Sequence, residues 1–173
     1  MLDDPLGTPD SGMTAKEAIF EVSEQMIVGG WIKADDGVTI QIDSSASHQQ
    51  MISFNDGINS LITDKGSTIL TKNDHSFIDI RSNESVRIAS DIYANGAHSQ
   101  IKIQAAAGIN LLEGSNISTP DNGSSIDLTS GEYIHMNSGS ALSAGATYEY
   151  LMIYSIQRKL ERMPVLILKQ KVS

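Results

Sequence analysis

Four histidines have the greatest capacity for metal binding or proton transfer in this chain, but their spacing does not form a site. They are His48, His75, His98 and His135. The chain has no cysteine to join them, and no pair has the His-x-x-x-His spacing that places two ligands on one helix face. His135 lies between Ile134 and Met136, so in a strand it points away from them, into solvent. We therefore expect no metal site.

Five acidic residues could supply the carboxylate pair that glycosidases use, if folding brought two of them together. They are Asp79, Glu84, Asp91, Glu113 and Asp127. Acidic residues are also common in turns, and no phosphate-binding Gly loop or Gly-x-Ser-x-Gly motif is present. We predict that the protein is not an enzyme and has no catalytic residue, no bound cofactor and no metal.

Composition narrows the class of protein. The net charge of -9 and the pI of about 4.7 argue against a nucleic-acid-binding face. Only 5% of the residues are aromatic, which fits a thin repetitive β-structure better than a thick globular core. The acidic N-terminus predicts no signal peptide, and no apolar run reaches the roughly twenty residues of a membrane span. We therefore expect synthesis in a cytoplasm.

The elements that must position any site are short apolar pairs that return every eighth residue between 62 and 142. Each pair has the form apolar-x-apolar, which places both side chains on one face of a strand. The residues between the pairs are mostly Ser, Asn, Asp and Gly, which favour turns. A fixed short period of strand and turn is typical of a β-solenoid or of chains wound around one another.

Burial is the criterion that separates these two architectures. Each eight-residue unit supplies one apolar pair, so a lone chain would carry an exposed stripe and unpaired strand edges. Three intertwined copies would bury three stripes on a common axis. We therefore predict a mainly β fold, an intertwined trimeric β-helix with a short N-terminal helix and a C-terminal helix and strand. The predicted trimer core is Ile62, Leu70, Ile78, Ile80, Val86, Ile88, Ile101, Ile103, Ile109, Leu111, Ile117, Ile126, Leu128, Ile134, Met136 and Leu142.

The segments outside the repeats predict attachment regions. Thr14 and Glu17 have capping-box spacing, and the apolar residues that follow predict a helix over 15–27. Strands are predicted at 31–33 and 38–43, joined by a turn at Asp35-Asp36-Gly37. Interruptions at 91–99 and 119–125 are interpreted as irregularities of the shaft rather than as ligand-binding loops.

The C-terminal segment allows two interpretations. Alternating apolar residues over 148–156 favour a strand, whereas a wider apolar spacing over 148–163 favours a helix that Pro164 would end. We predict the helix, followed by a strand at 165–169. The resulting organisation is an arm and helix (1–30), a β segment leading into the shaft (31–70), the shaft itself (71–147) and an attachment segment (148–173).

A series of short motifs leads from residue 48 into the repeats. These motifs are His48, Met51, Ser53-Phe54-Asn55-Asp56-Gly57, Asp64-Lys65-Gly66 and Thr68-Ile69-Leu70. With the repeats that follow, over about residues 48–142, they resemble the central spike proteins of contractile phage tails and the valine-glycine repeat spike of type VI secretion. The family's N-terminal barrel, lysozyme-like insertion and His-x-His iron motif have no counterpart here.

The resemblance implies a structural component of a virion tail tip or baseplate, made in the host cytoplasm and used for envelope penetration or as a rigid connector. Its expected partners are two further copies of itself, other tail or baseplate proteins through the N-terminal helix and the C-terminal segment, and the host envelope; nucleic acid is not expected. The alternative is a receptor-binding tail fibre or tailspike module that recognises a host surface glycan or protein. A third hypothesis, a polysaccharide-degrading enzyme, requires a single-chain solenoid with a groove.

Overall fold

The computed structural model describes residues 11–43, 53–54 and 57–145, and in this part the chain forms β-strands and no helix. The strands are β1 Gly12–Val22, β2 Met26–Val28, β3 Trp31–Ile42, β4 Ser53–Phe54, β5 Gly57–Thr63, β6 Thr68–Thr71, β7 Phe77–Ser82, β8 Ser85–Ile88, β9 Asp91–Ala94, β10 Gln100–Ala105, β11 Gly108–Leu111, β12 Asn116–Thr119, β13 Ser125–Ser130, β14 Tyr133–Met136 and β15 Ala141–Ala144. The mainly β class predicted from the sequence is confirmed.

Parallel pairing at a nearly constant offset makes the fold a single-chain β-solenoid. Gln100 in β10 pairs with Phe77 in β7 on one side and with Ser125 in β13 on the other, offsets of 23 and 25 residues. The strands of the neighbouring sides follow the same rule, since β11 pairs with β8 and β14, and β12 with β9 and β15. Each strand therefore stacks on the strand three before it, and one coil contains three short strands.

Two sheets form the sides of the solenoid. The larger has the order β13-β10-β7-β3-β6-β9-β12-β15, with β1 paired to β3, and the smaller has the order β14-β11-β8-β5-β2. β3 is long enough to cover two sides of the coil, because its first half pairs with β6 and its second half with β7. The short β4 pairs antiparallel with the start of β5.

Columns of β-branched and Leu side chains fill the interior. Strand alternation sends every second residue inward, and the parallel register stacks equivalent residues of successive coils. The three main columns, all buried, are Val38-Ile78-Ile101-Ile126, Ile40-Ile80-Ile103-Leu128 and Ile32-Ile69-Ile92-Ile117. Complete burial of one such side chain contributes about 1.5–3 kcal/mol, so the columns are the main source of stability.

Two kinds of turn connect the sides. At 64–67, 112–115 and 137–140 the chain makes a β-turn closed by the amide of the last residue, a serine, on the carbonyl three residues before it. The glycine before each serine has φ near +80°, the conformation that a type II turn requires at its third position. At another corner the buried hydroxyls of Ser76 and Ser99 contact each other at 3.1 Å, so these polar groups are satisfied inside the solenoid.

The predicted intertwined trimeric β-helix is wrong, because one chain buries its own apolar stripes. Three consecutive eight-residue units close one coil, and their three apolar pairs converge on a shared interior. Most of the residues assigned to a trimer axis are buried within the single chain, while Leu70, Ile134 and Leu142 are half-buried and Met136 is 40% exposed.

The predicted helix over 15–27 is also wrong. Residues Gly12–Val22 form β1, which pairs in parallel with β3 along its whole length. Ala18, Phe20 and Val22 carry the inward side of this strand, and the same residues had also fitted a helical face. Pairing with β3 decides the structure, since it satisfies the backbone and buries Ala18 at once.

The turn predicted at Asp35-Asp36-Gly37 lies within β3. The register between β1 and β3 shifts at this place, which lets the strand bend from one side of the coil to the next without a hairpin. The two interruptions at 91–99 and 119–125 are not irregularities either: Asp91–Ala94 is a regular strand, and the residues that follow β9 and β12 are corners of the coil. The predicted C-terminal helix and strand lie outside the described residues.

We predict that Ile117→Ala lowers the free energy of unfolding by about 2–5 kcal/mol, because it opens a cavity in a column of fully buried side chains. Ser118→Ala is the matched control, since Ser118 is the next residue and points outward; it should change stability by less than about 0.5 kcal/mol. Urea unfolding followed by circular dichroism measures both. Equal effects of the two substitutions would contradict the inward and outward assignment.

Candidate functional site

An open groove runs along the corner where the larger sheet turns toward the smaller one. It has a volume of about 750 Å³ and lies at the ends of β3, β7, β10 and β13. It is lined by Gln41, Ile42, Asp43, Arg81, Ser82, Asn83, Gln104, Ala105, Ala106, Thr129, Ser130 and Gly131. The groove crosses four stacked strands, so any ligand in it would lie along the solenoid axis.

Eight outward side chains beside and within the groove form what we call the polar ladder. Parallel register stacks them in two columns, Thr39-Asp79-Lys102-Asp127 and Gln41-Arg81-Gln104-Thr129. Neighbouring strands lie about 4.8 Å apart, so the three intervals between the four strands span about 14 Å. The ladder therefore repeats polar groups at a regular spacing along the groove.

Three carboxylates at the groove are held in place by a neighbouring side chain. Arg81 donates two hydrogen bonds to Asp79, of 3.1 Å from Nε to Oδ1 and 2.6 Å from its terminal nitrogen to Oδ2. Thr129 donates to Asp127 at 3.1 Å. Both pairs are two residues apart on one strand, so their side chains share a face.

The third carboxylate is held across the groove. Asn83 follows β7 and donates from Nδ2 to Oδ1 of Asp43, at the end of β3, over 2.9 Å. This contact joins two coils at the rim. All three carboxylates retain acceptor capacity, because an ionised carboxylate offers about four lone-pair sites.

The Arg81 guanidinium has its pKa raised, first by the hydrogen bonds to Asp79 and then by the attraction of that carboxylate, with a small opposing effect of burial. A raised pKa means that the stabilisation is present below the ordinary pKa of arginine and is lost only as the pH rises above it. Arg81 therefore remains cationic throughout the physiological range.

Three donor side chains of the ladder make no hydrogen bond or ion pair with another described residue. They are Gln41, Gln104 and Lys102. Lys102 is stacked between Asp79 and Asp127, and Gln104 between Arg81 and Thr129. Fixed acceptors thus alternate with donors that are available to a ligand.

Small residues form the floor of the groove. Ser82, Ala105 and Ser130 point inward at the corner and are buried, and Ala106 and Gly131 follow them. A Cβ atom at Gly131 would overlap the carbonyl oxygen of Ala106, so only glycine allows this close approach of two coils. The floor is consequently low and apolar beside a polar wall.

Among the five acidic residues that could form a carboxylate pair, the structure brings only Asp79 and Asp127 to one face. They stand two strands apart, about 9.5 Å between Cα atoms, with Lys102 between them. Asp91 lies on a different side of the coil, while Glu84 and Glu113 lie at corners. The structure therefore does not gather these acids into one cluster.

The histidines stay apart from the groove. The rings of His75 and His98 stack on each other with centroids 5.2 Å apart, at the corner after β6 and β9. His135 is exposed on β14, and His48 lies outside the described residues. Within 11–43, 53–54 and 57–145, no three His, Cys, Asp or Glu side chains are placed to hold a metal ion.

The ladder donors Gln41, Lys102 and Gln104 were missed in the sequence. The signal that could have found them is a repeat of 23 to 25 residues, visible when the strands of one side are aligned. The three aligned segments are Phe77-Ile-Asp-Ile-Arg-Ser82, Gln100-Ile-Lys-Ile-Gln-Ala105 and Ser125-Ile-Asp-Leu-Thr-Ser130.

Comparison with protein-family models, curated protein sequences and solved structures gave no significant match. The described part of the chain contains no helix with the length and apolar character needed to cross a membrane.

We predict that Gly131→Ala destabilises the protein by about 1–3 kcal/mol, since the added methyl group forces two coils apart at the groove floor. The exposed neighbour Glu132→Ala should change the free energy of unfolding by less than about 0.5 kcal/mol. Urea denaturation of both variants provides the measurement. Unchanged stability of Gly131→Ala would show that the two coils are not in such close contact.

Proposed function

We propose that this protein is a glycan-binding module that holds an extended polysaccharide in the groove, along the solenoid axis. The observation that carries the proposal is the alternation of fixed carboxylate acceptors with unpaired amide and ammonium donors along the ladder. A sugar hydroxyl both donates and accepts a hydrogen bond, so a surface that offers both at regular intervals matches a polyhydroxyl chain.

The shape of the groove favours a polymer over a small molecule. It is open along its length and crosses four coils, whereas small-molecule sites are usually enclosed and largely apolar. Solenoid proteins commonly use such extended surfaces for binding. The low floor of Ala106 and Gly131 would admit the apolar face of a sugar ring against the wall of the ladder.

The charges of the ladder favour a neutral glycan. Asp79 and Asp127 balance Arg81 and Lys102, so the ladder itself is neutral although the chain carries -9. A strongly anionic polymer would also meet the carboxylate of Asp43 at the rim and the negative field of the whole protein. Neutral hydroxyl-rich polymers avoid both costs.

The resemblance to phage tail spikes supplies a setting for this activity. A module with this groove would serve as the receptor-binding part of a tail fibre or tailspike, with the glycan on the host surface. The virion location and the attachment to other tail proteins stay predictions from the sequence. A rigid connector is the second candidate, favoured by the unbroken apolar columns through successive coils, which leave little local unfolding available.

Glycan microarray screening of the full chain, followed by calorimetric titration of the best neutral polysaccharide fragment, tests the proposal. Binding should fall at least tenfold in Lys102→Ala/Gln104→Ala, because two ligand hydrogen bonds of about 0.5–1.5 kcal/mol each are lost. Asn116→Ala is the matched control, an amide on another side of the coil. Absence of glycan binding by the intact chain, or equal losses in the two variants, would refute it.

A further inference from the structure

The first coil presents an apolar end with unpaired backbone. Among the described residues β1 pairs only with β3, and β2 only with β5. Three of the four large apolar side chains that are exposed in this part of the chain belong to these two strands: Met13 (39%), Ile19 (62%) and Ile27 (52%). An apolar cleft of about 300 Å³ lies at the same end, with Phe20 and Met26 in its wall. An exposed strand edge of this length is a template for pairing with another strand.

The inward positions of β1 change parity in the middle of the strand. Before the register shift, Met13 pairs with the inward Ile32 and Ala15 with Ala34; after it, Ala18 pairs with Val38 and Phe20 with Ile40. β1 advances two residues, from Ala15 to Glu17, where β3 advances three. Inward side chains are therefore odd-numbered before the corner and even-numbered after it.

This change of parity makes the edge of β1 complementary to itself. In an antiparallel pair of two β1 strands centred between Lys16 and Glu17, Met13 lies opposite Phe20 and Ala15 opposite Ala18 of the second copy. Opposite residues share a face of the sheet, so inward residues meet inward residues. Lys16 lies opposite Glu17 twice, once on each side of the two-fold axis. A shift by half a step would instead place Lys16 against Lys16 or Glu17 against Glu17.

The third side of the coil obeys the same symmetry. A two-fold axis through the corner at Lys16 and Glu17 exchanges the two legs of β1 and crosses the middle of the opposite side, which is β2. Antiparallel pairing of β2 with its copy then centres on Ile27, with Met26 opposite Val28. The exposed Ile27 side chains of the two copies would cover each other.

We propose that two copies of this chain associate end to end through their first coils as a two-fold symmetric dimer. β1 of one copy pairs antiparallel with β1 of the other, and Lys16 forms an ion pair with Glu17 of the second copy. Lys16 now lies 3.6 Å from Asp36 of its own chain, but its side chain is 84% exposed, and such surface pairs exchange at little cost. The dimer is independent of glycan binding and would place two grooves on one collinear rod.

Light scattering coupled to gel filtration of the full chain should give twice the chain mass of 18.6 kDa. Lys16→Glu and Glu17→Lys should each weaken the dimer at least tenfold, since each creates two like-charge contacts. The double variant Lys16→Glu/Glu17→Lys restores opposite charges and should restore the dimer. Lys65→Glu, in an exposed turn, is the matched control and should have no effect.

Cysteine cross-linking locates the interface, because the natural chain has no cysteine. Ile27→Cys should form a disulfide-linked dimer on oxidation, as the two copies of this position face each other within disulfide range. Ile19→Cys is equally exposed but lies opposite Thr14, so it should not. A monomer at all concentrations, a charge-swapped variant that stays monomeric, or cross-linking at Ile19 and not Ile27 would each overturn the proposal.

Discussion

The structure depends on the stacking of inward aliphatic side chains between successive coils of one chain. Ile101 is in contact register with Ile78 before it and Ile126 after it, and the same holds around the coil. This interaction fixes the length of each coil, because a coil that was one residue out of step would turn the apolar face outward. Insertions are accommodated only at corners, where the offset changes from 23 to 25.

The candidate site is the outward counterpart of the same alternation. Between the buried Ile78 and Ile80 the strand must expose Asp79, and between Ile101 and Ile103 it must expose Lys102. Stacking then converts single polar residues of separate coils into columns. The groove needs nothing more than small residues at the corner, where Gly131 allows the closest approach. Core and binding surface are therefore specified by one register.

The sequence predicted the local structure better than the assembly. The eight-residue spacing correctly indicated short strands with one buried face, but eight residues are one third of a coil. Three times eight is 24, within the observed offsets, and alignment at that distance would have shown the single-chain solenoid. The phase was also one residue out near the start: Leu61 and Ile69 occupy the core columns, in place of Ile62 and Leu70.

The remaining errors arose where long-range pairing decides the structure. Residues Gly12–Val22 fit a helix by local pattern, yet become a strand because β3 offers a parallel edge. The Asp35-Asp36-Gly37 segment resembles a hairpin turn, yet continues β3 because the strand bends around a corner. The groove was beyond local reasoning, since its walls come from strands 23 to 40 residues apart.

An intrachain cross-link tests the central claim most directly. Gln100 and Ser125 are outward neighbours on adjacent coils, remote from the first coil, and a Gln100→Cys/Ser125→Cys variant places two thiols within range of a disulfide or a short bis-thiol reagent. A single-chain solenoid predicts a cross-linked product that migrates at the chain mass of 18.6 kDa under denaturing, non-reducing conditions. Covalent dimers and trimers as the main products would show that the coils are shared between chains and would contradict the account.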